Sequence, residues 1–272
     1  MRQTTQKIEF PQKIKLLVSC CNAQGGLFEV ECFGEKVQIE KKIDHTVHGV
    51  RGVAKIASGG YFIADSSRSL GIYDEKFQKV ADYTPGEMDY HGVEIYNNHA
   101  YVVETNRNRI GIYTLDSIKR VGEIKISPVN HMNDLAFHHG ELYISMFAEE
   151  NWPKSSRPGV INRYSIDGKK RETYIDSLHQ PHSVVFYKDK IYYCSSPNRI
   201  VKREKKVLFQ SNEGYLRGLA VNDSYIFIGQ SQSRHDQYRS VRCGFYIYDI
   251  KSEDYEFIPL PATEVYRILL IE

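Results

Sequence analysis

Tryptophan, methionine and long apolar runs are all scarce in this chain. Its 272 residues hold one Trp, four Met and nine Pro against twenty Tyr and twelve Phe. No uninterrupted apolar stretch approaches the roughly 18 residues that a membrane-spanning helix needs. The opening "MRQTTQKIEFPQKIKLLVSCC" also lacks the apolar core of a secretion signal. The expectation is a cytoplasmic protein that neither crosses a membrane nor leaves by the signal-peptide route. Excess charge of one sign is missing too: 36 Lys and Arg against 34 Asp and Glu leave a formal charge of +2, too little to imply a nucleic-acid partner. The five cysteines, Cys20, Cys21, Cys32, Cys194 and Cys243, are odd in number and none stands in C-x-x-C spacing. That excludes the usual Cys-based metal motifs and suits a reduced protein.

What is present is a rhythm. Short runs of Val, Ile, Tyr and Phe are punctuated by Asn, Asp, Gly and Ser, which favours strands over helices. The stretch "RGVAKIASGGYFIADSSRSLGIYD" from Arg51 aligns without a gap with "HGVEIYNNHAYVVETNRNRIGIYT" from His91, 24 residues at an offset of 40. The same frame fits "NDLAFHHGELYISMF" from Asn133, "HSVVFYKDKIYYCSS" from His182 and "RGLAVNDSYIFIGQS" from Arg217. A sixth copy is split. The C-terminal "EVYRILLIE" supplies a first strand, and "KLLVSCCNAQGGLFEVECFGEKVQIE" supplies the second, third and fourth.

Four short strands recurring about every 40 residues are the signature of propeller blades. The expected fold is therefore all-β, a six-bladed β-propeller of four-stranded blades, the last closed by both the N- and C-terminal strands. Its blades are expected at about 46–87, 88–128, 129–178, 179–213 and 214–262, with 13–45 joining 263–272 in one single domain. A β-sandwich with similar hairpins is the alternative, but it gives no reason for a gapless 40-residue offset.

"VVETNRNRIGIY" and "CSSPNRIV" resemble the Asn-Arg-Ile turn of NHL-type repeats. Six four-stranded blades are also the plan of the gluconolactonase and senescence-marker family. "PHS" at 181–183, "RGLAV" at 217–221, "GQSQSR" at 229–234 and the closing "EVYRILLI" look like an uncharacterised bacterial propeller family. That last resemblance covers mainly residues 130–272, supports the fold and brings no activity with it.

In a propeller the first strand of each blade lines the axis, so the residue opening it faces one mouth of the channel. Those six positions hold Arg51, His91, Asn133, His182, Arg217 and Glu264, none of them apolar. Buried polar groups need partners or ligands, which leaves two readings. In one, the ring satisfies itself, with Arg51 and Arg217 paired to Glu264 and nearby acids, on a propeller that serves as a protein-interaction scaffold. In the other, the mouth binds a small anionic ligand, carboxylate-bearing or sugar-related, because the guanidinium fork matches carboxylates.

Turns on the same face add Asp65, Glu104, Thr105, Ser145, Ser195, Ser196, Gln230, Ser231, Ser233 and Arg234, of which Glu104, Ser196, Ser231 and Arg234 are the chosen ligand contacts. His91 and His182 are the candidate general bases for hydrolase or lyase chemistry, since imidazole titrates near neutrality. A divalent metal such as Zn, Mn or Ca is a further candidate, held by His91, Asn133, His182 and Glu264. The resemblance to calcium lactonases, which use Glu, Asn and Asp, extends to Asn133 and Glu264; the two histidines depart from it.

Secondary candidates complete the list. Asp134 is an acid/base or extra ligand unless it faces the next blade. Cys20 and Cys21 are small core residues or bring one thiol to the pocket. His48 and His131 form a second layer or lie in solvent. The loop "AEENWPKSSRPG", 148–159, carries the Trp and is either a lid or a plain insertion. "KREKK" at 202–206 reads as a solvated outer turn.

Overall fold

Runs of β-branched and aromatic residues separated by turn formers give 24 strands in the computed structural model, which describes residues 7–22, 24–44, 49–65, 68–86, 88–149, 158–232 and 241–272. They form six four-stranded antiparallel sheets. The first blade holds β4 (Val50–Lys55), β5 (Tyr61–Asp65), β6 (Leu70–Tyr73) and β7 (Lys79–Tyr83). The second holds β8 (Tyr90–Tyr96), β9 (His99–Glu104), β10 (Arg109–Thr114) and β11 (Arg120–Lys125). The third holds β12 (Asn130–His138), β13 (Glu141–Ala148), β14 (Gly159–Tyr164) and β15 (Lys170–Leu178). The fourth holds β16 (Pro181–Tyr187), β17 (Lys190–Ser195), β18 (Ile200–Arg203) and β19 (Lys206–Gln210). The fifth holds β20 (Tyr215–Val221), β21 (Tyr225–Ser231), β22 (Gly244–Asp249) and β23 (Tyr255–Pro259).

The sixth blade is assembled from both ends of the chain in the order β24 (Glu264–Leu270), β1 (Phe10–Cys21), β2 (Gly26–Gly34) and β3 (Lys36–Asp44). β1 pairs with β24 from Leu16 opposite Leu270 to Cys21 opposite Glu264. The six-bladed fold and its closure by both termini are thus as the repeat implied. Closure also pairs two strand edges that would otherwise be open to association.

The core follows from this plan. Second strands such as β5 and β21 are buried along their whole length, whereas outer strands such as β3 are largely exposed. Six apolar clusters result among the described residues, one at each seam between neighbouring blades. The two seams of the split blade are as apolar as the rest: Val18, Val265 and Ile268 pack on Phe227 and Phe245, and Leu17 and Leu27 pack on Val50 and Ile63. No helix among the described residues is long and apolar enough to cross a membrane. All five cysteines are buried and none is in a disulfide.

Ile268 is 2% exposed in the seam between the fifth and sixth blades, while Val121, on the outer β11, is 51% exposed. Ile268→Ala is therefore expected to lower the unfolding free energy by about 2 to 5 kcal/mol, and Val121→Ala to change it by less than about 0.5 kcal/mol. Urea unfolding of the two variants checks this; equal effects would mean that the closing seam is not part of the cooperative core.

Candidate functional site

Every inner hairpin has the same irregularity. Between Val50 and Val53, Tyr90 and Val93, Met132 and Asp134, His182 and Val185, and Leu216 and Leu219, the inner strand carries one residue more than its partner. In the sixth blade the extra residue is Tyr266, between Val265 opposite Cys20 and Arg267 opposite Ser19. A bulge of this kind bends a strand and re-aims its side chains. Here it recurs at the level of Arg51, His91, Asn133, His182 and Arg217. In the sixth blade it puts Tyr266 at that level in place of the expected Glu264, which lies opposite Cys21 as Tyr215 lies opposite Ser231, two residues before the bulge position.

Small residues after the bulge let the strands converge on the axis. A β-carbon on Gly52 would lie 2.5 Å from the His91 carbonyl, and one on Gly92 would lie 2.3 Å from Asp134 Oδ1.

A fixed spacing supplies the partners. The residue fourteen positions after each ring member ends the second strand or begins the turn after it, beside the ring. Thr105 Oγ1 lies 2.8 Å from His91 Nδ1, Ser196 Oγ lies 2.9 Å from His182 Nδ1, and Ser231 Oγ accepts from Arg217 Nη2 at 3.3 Å. In the split blade the equivalent of this partner is Cys21, whose Sγ is 3.7 Å from Glu264 Oε2. Cys21 thus stands at the ring, while Cys20 lies in the apolar seam.

Charges in the ring are matched. Arg217 forms an ion pair with Glu264, and Arg51 forms one with Asp89 and also donates to the Tyr90 carbonyl at 3.0 Å. The self-paired arrangement is therefore real for both arginines. Donors remain nonetheless: Arg217 makes its hydrogen bonds through Nη2, and its buried Nε has no partner among the described residues. Asn133 Oδ1 is likewise buried without one. Of the four expected metal donors, Glu264 has its carboxylate engaged by Arg217 and by Asn22 Nδ2 at 2.5 Å.

Both histidines are fixed in one tautomer. The Thr105 hydroxyl donates to the Met132 carbonyl at 2.7 Å, so the neighbouring His91 Nδ1 is the donor to Thr105, with the same carbonyl 3.1 Å away. His182 Nδ1 donates in the same way toward the Gln180 carbonyl at 3.0 Å and Ser196. In each ring Nε2 is then the proton-accepting atom. Burial holds both imidazoles well below their ordinary pKa, and Arg51 reinforces this for His91 and Arg217 for His182. Asp89 Oδ1 lies 3.4 Å from His91 Nε2, within reach of a proton gained there.

Around these groups runs a closed belt of π contacts that single-residue reading missed. His91 meets His131 at 5.0 Å between ring centroids, His131 stacks on Phe147 at 4.6 Å, and Phe147 meets His182 at 5.4 Å. His182 meets Tyr215 at 5.5 Å, the Arg217 guanidinium lies 5.4 Å from both Tyr215 and Tyr266, and Tyr266 returns to His91 at 5.6 Å. Tyr266 also crosses the axis, its hydroxyl donating to the Asn133 carbonyl of the opposite blade at 3.1 Å. By register Ile268, buried in its seam, is the sixth-blade counterpart of Val53, Val93, Leu135, Val184 and Leu219, and Tyr266 is the counterpart of Arg217, a shift of two residues that the sequence alignment did not show. Beneath Tyr266, Arg267 bridges Asp134 at 3.2 Å and Glu94, so the channel is filled between its two mouths. Asp134 therefore faces the axis, and burial raises its pKa to about 6 despite Arg267.

Other expected contacts lie elsewhere. Glu104 is turned into the second blade, accepting from Arg109 Nε at 2.5 Å, Tyr113 Oη at 2.6 Å and Arg120 Nη2 at 2.9 Å. Gln230 bonds Tyr246 inside the fifth blade and Ser211 in the turn that leads into it, and Ser195 bonds the His179 carbonyl. All three stand thirteen positions after a ring residue, and side chains one apart on a strand point to opposite faces. Asp65 accepts from the turn that follows it, at Arg68 and Ser69, and Ser145 bonds the Asp134 backbone. His48, Ser233, Arg234 and the stretch 150–157 with Trp152 lie outside the described residues.

Comparison with known proteins agrees with this architecture. The chain belongs to the family described as a domain of unknown function, DUF4915, whose model matches residues 60–258. It is similar in structure to a protein of unknown function from Bacteroides caccae, with TM-score 0.69 and 10% identity over 96% of this chain and 100% of that one. A chain of a nidogen/laminin complex matches with TM-score 0.72 and 12% identity, covering 94% and 98%. A luciferin-regenerating enzyme matches with TM-score 0.62 and 13% identity, covering 80% and 78%. At these identities the likeness establishes the propeller fold.

The buried titratable groups predict how stability depends on pH. His91 and His182 are neutral when folded but protonate when unfolded below about pH 6.5, so their contribution is lost as pH falls through that value. Asp134, with its pKa raised to about 6, acts the other way, its contribution being lost as pH rises from about 4 to 6. Two histidines outweigh one aspartate. As pH falls through the ordinary imidazole range the unfolding free energy should therefore fall. His182→Gln should make that fall shallower, by up to about 1.4 kcal/mol per pH unit for the one proton removed, as read from urea unfolding at several pH values.

Proposed function

We propose that the ringed mouth binds a small sugar-like molecule carrying at most one carboxylate, and that His182 offers Nε2 as the proton acceptor for hydrolytic or lyase chemistry on it. The observation that carries the reading is the closed belt from His91 through Phe147, Tyr215 and Arg217 to Tyr266. Such a belt offers ring faces to the C–H faces of a sugar. Asn133 Oδ1 and Arg217 Nε supply a buried acceptor and a buried donor without other partners among the described residues, the few convergent polar groups that orient a ligand.

Because Arg51 and Arg217 already face Asp89 and Glu264, neither leaves surplus positive charge among the described residues of the mouth. A polyhydroxylated ring with one acid group suits it better than a multiply charged phosphate ester. A neutral imidazole is a weak base while burial depresses its pKa. A ligand carboxylate placed nearby raises it, so binding itself prepares His182 to take a proton.

The scaffold alternative has little to stand on. Among the described residues, exposed large apolar residues such as Val80, Val121 and Val207 sit on the outer strands of different blades, whereas docking faces are contiguous.

Calorimetric titration of monosaccharides, aldonic acids and their lactones provides the test. Binding by an acid should be accompanied by proton uptake, seen as a dependence of the measured heat on the buffer's ionisation enthalpy. His182→Gln and Asn133→Leu should each weaken binding at least about tenfold, equivalent to about 1.4 kcal/mol, with the fold retained. A panel that gives no ligand, or a ligand whose affinity both variants leave unchanged, would remove the proposal.

A further inference from the structure

The other mouth of the channel opens into a cavity of 440 Å³, bounded by the far ends of the inner strands through Glu94, Phe137, His138, Phe186, Val221 and Arg267. On its rim, hairpins of the third and fourth blades bring three metal-binding side chains to one point. His138 ends β12 and His139 begins its turn, while Asp189 lies in the turn between β16 and β17. Asp189 Oδ1 is 3.5 Å from His138 Nε2 and 3.1 Å from His139 Nε2, and the three ligating atoms all lie within 4.8 Å of one another.

Adjacent residues of a strand point to opposite faces, so the convergence of His138 and His139 needs a cause. It lies in the left-handed backbone at His139, with φ 48°, matched by φ 60° at Asp189. These conformations turn both imidazoles to one side, their centroids 3.9 Å apart. His138 is further fixed by stacking on Phe186 at 4.1 Å and an interplanar angle of 3°. Two donors bound tetrahedrally at about 2.0–2.2 Å from one zinc ion stand roughly 3.3 Å apart. The separations to Asp189 bracket that value.

We propose that His138, His139 and Asp189 form a binding site for a divalent first-row transition ion of the zinc class. Two imidazole nitrogens and one carboxylate oxygen favour Zn, Ni or Cu over Mg or Ca, which take oxygen donors. Three protein ligands leave a coordination position open. Since His138 and His139 also line the cavity, that position faces a space able to hold water or an anionic group. The site is separate from the ringed mouth, with Tyr266 and the Arg267 ion pairs between them, and it stands whether or not that mouth binds a sugar.

Cobalt(II), which gives visible d–d bands in tetrahedral sites, is the probe. The full-length chain should bind one equivalent with such a band and release it to zinc. His139 and Asp189 have side chains 74% and 73% exposed, so His139→Ala and Asp189→Asn should leave thermal unfolding unchanged while weakening cobalt binding at least tenfold. His182→Gln, at the other mouth, should leave the band intact. Absence of a stoichiometric band in the wild-type chain would overturn the site. So would a band that survives both rim substitutions, or one that is lost only in His182→Gln.

Discussion

One extra residue in each inner strand, repeated six times at the same height, is the constraint from which the functional part of the molecule follows. Regular pairing would alternate side chains between the two faces of each blade and press them into the seams. The bulge turns them toward the axis, where no neighbouring blade covers them. Small residues after the bulge in most blades allow the backbones to approach: Gly52 against the His91 carbonyl, Gly92 against Asp134. The same device places Tyr266 across the axis, where it closes the channel at the level of the ring.

Polar residues converging on one axis would be intolerable without partners, and the fourteen-residue spacing supplies three of them. Thr105, Ser196 and Ser231 come to the ring because the second strand returns antiparallel to the first and ends beside its start. Ion pairs complete the accounting for Arg51 and Arg217. What this leaves is a mouth that is electrically balanced, lined by π surfaces and supplied with neutral histidines. An expectation built on two arginines alone leads to a strongly anionic ligand. Their pairing is the reason the proposed ligand is rich in hydroxyls and carries little charge.

Much of this was legible in the sequence because a 40-residue repeat fixes both fold and address. Strand number, blade closure and the ring positions of Arg51, His91, Asn133, His182 and Arg217 follow from aligning one repeat on the next, whereas in the split blade the alignment points to Glu264 and the pairing register to Tyr266. Partner identity was less legible. Glu104, Gln230 and Ser195 sit next in sequence to the residues that reach the ring, yet face into their blades; only the pairing register separates thirteen from fourteen. Asp89 and Phe147 were invisible because the repeat gives them no shared chemistry. The rim at His138, His139 and Asp189 depends on left-handed φ values in two hairpins, which a strand-by-strand reading does not supply.

Histidine NMR tests the central claim most directly, through two-bond proton–nitrogen correlation spectra of the full chain assigned with His91→Gln and His182→Gln. The account predicts that both imidazoles are Nδ1–H tautomers that stay neutral through the pH range in which an ordinary imidazole titrates. An Nε2–H pattern, or a titration near the ordinary value of about 6.5, would mean that the bulged strands do not hold these side chains buried at the axis, and would contradict it.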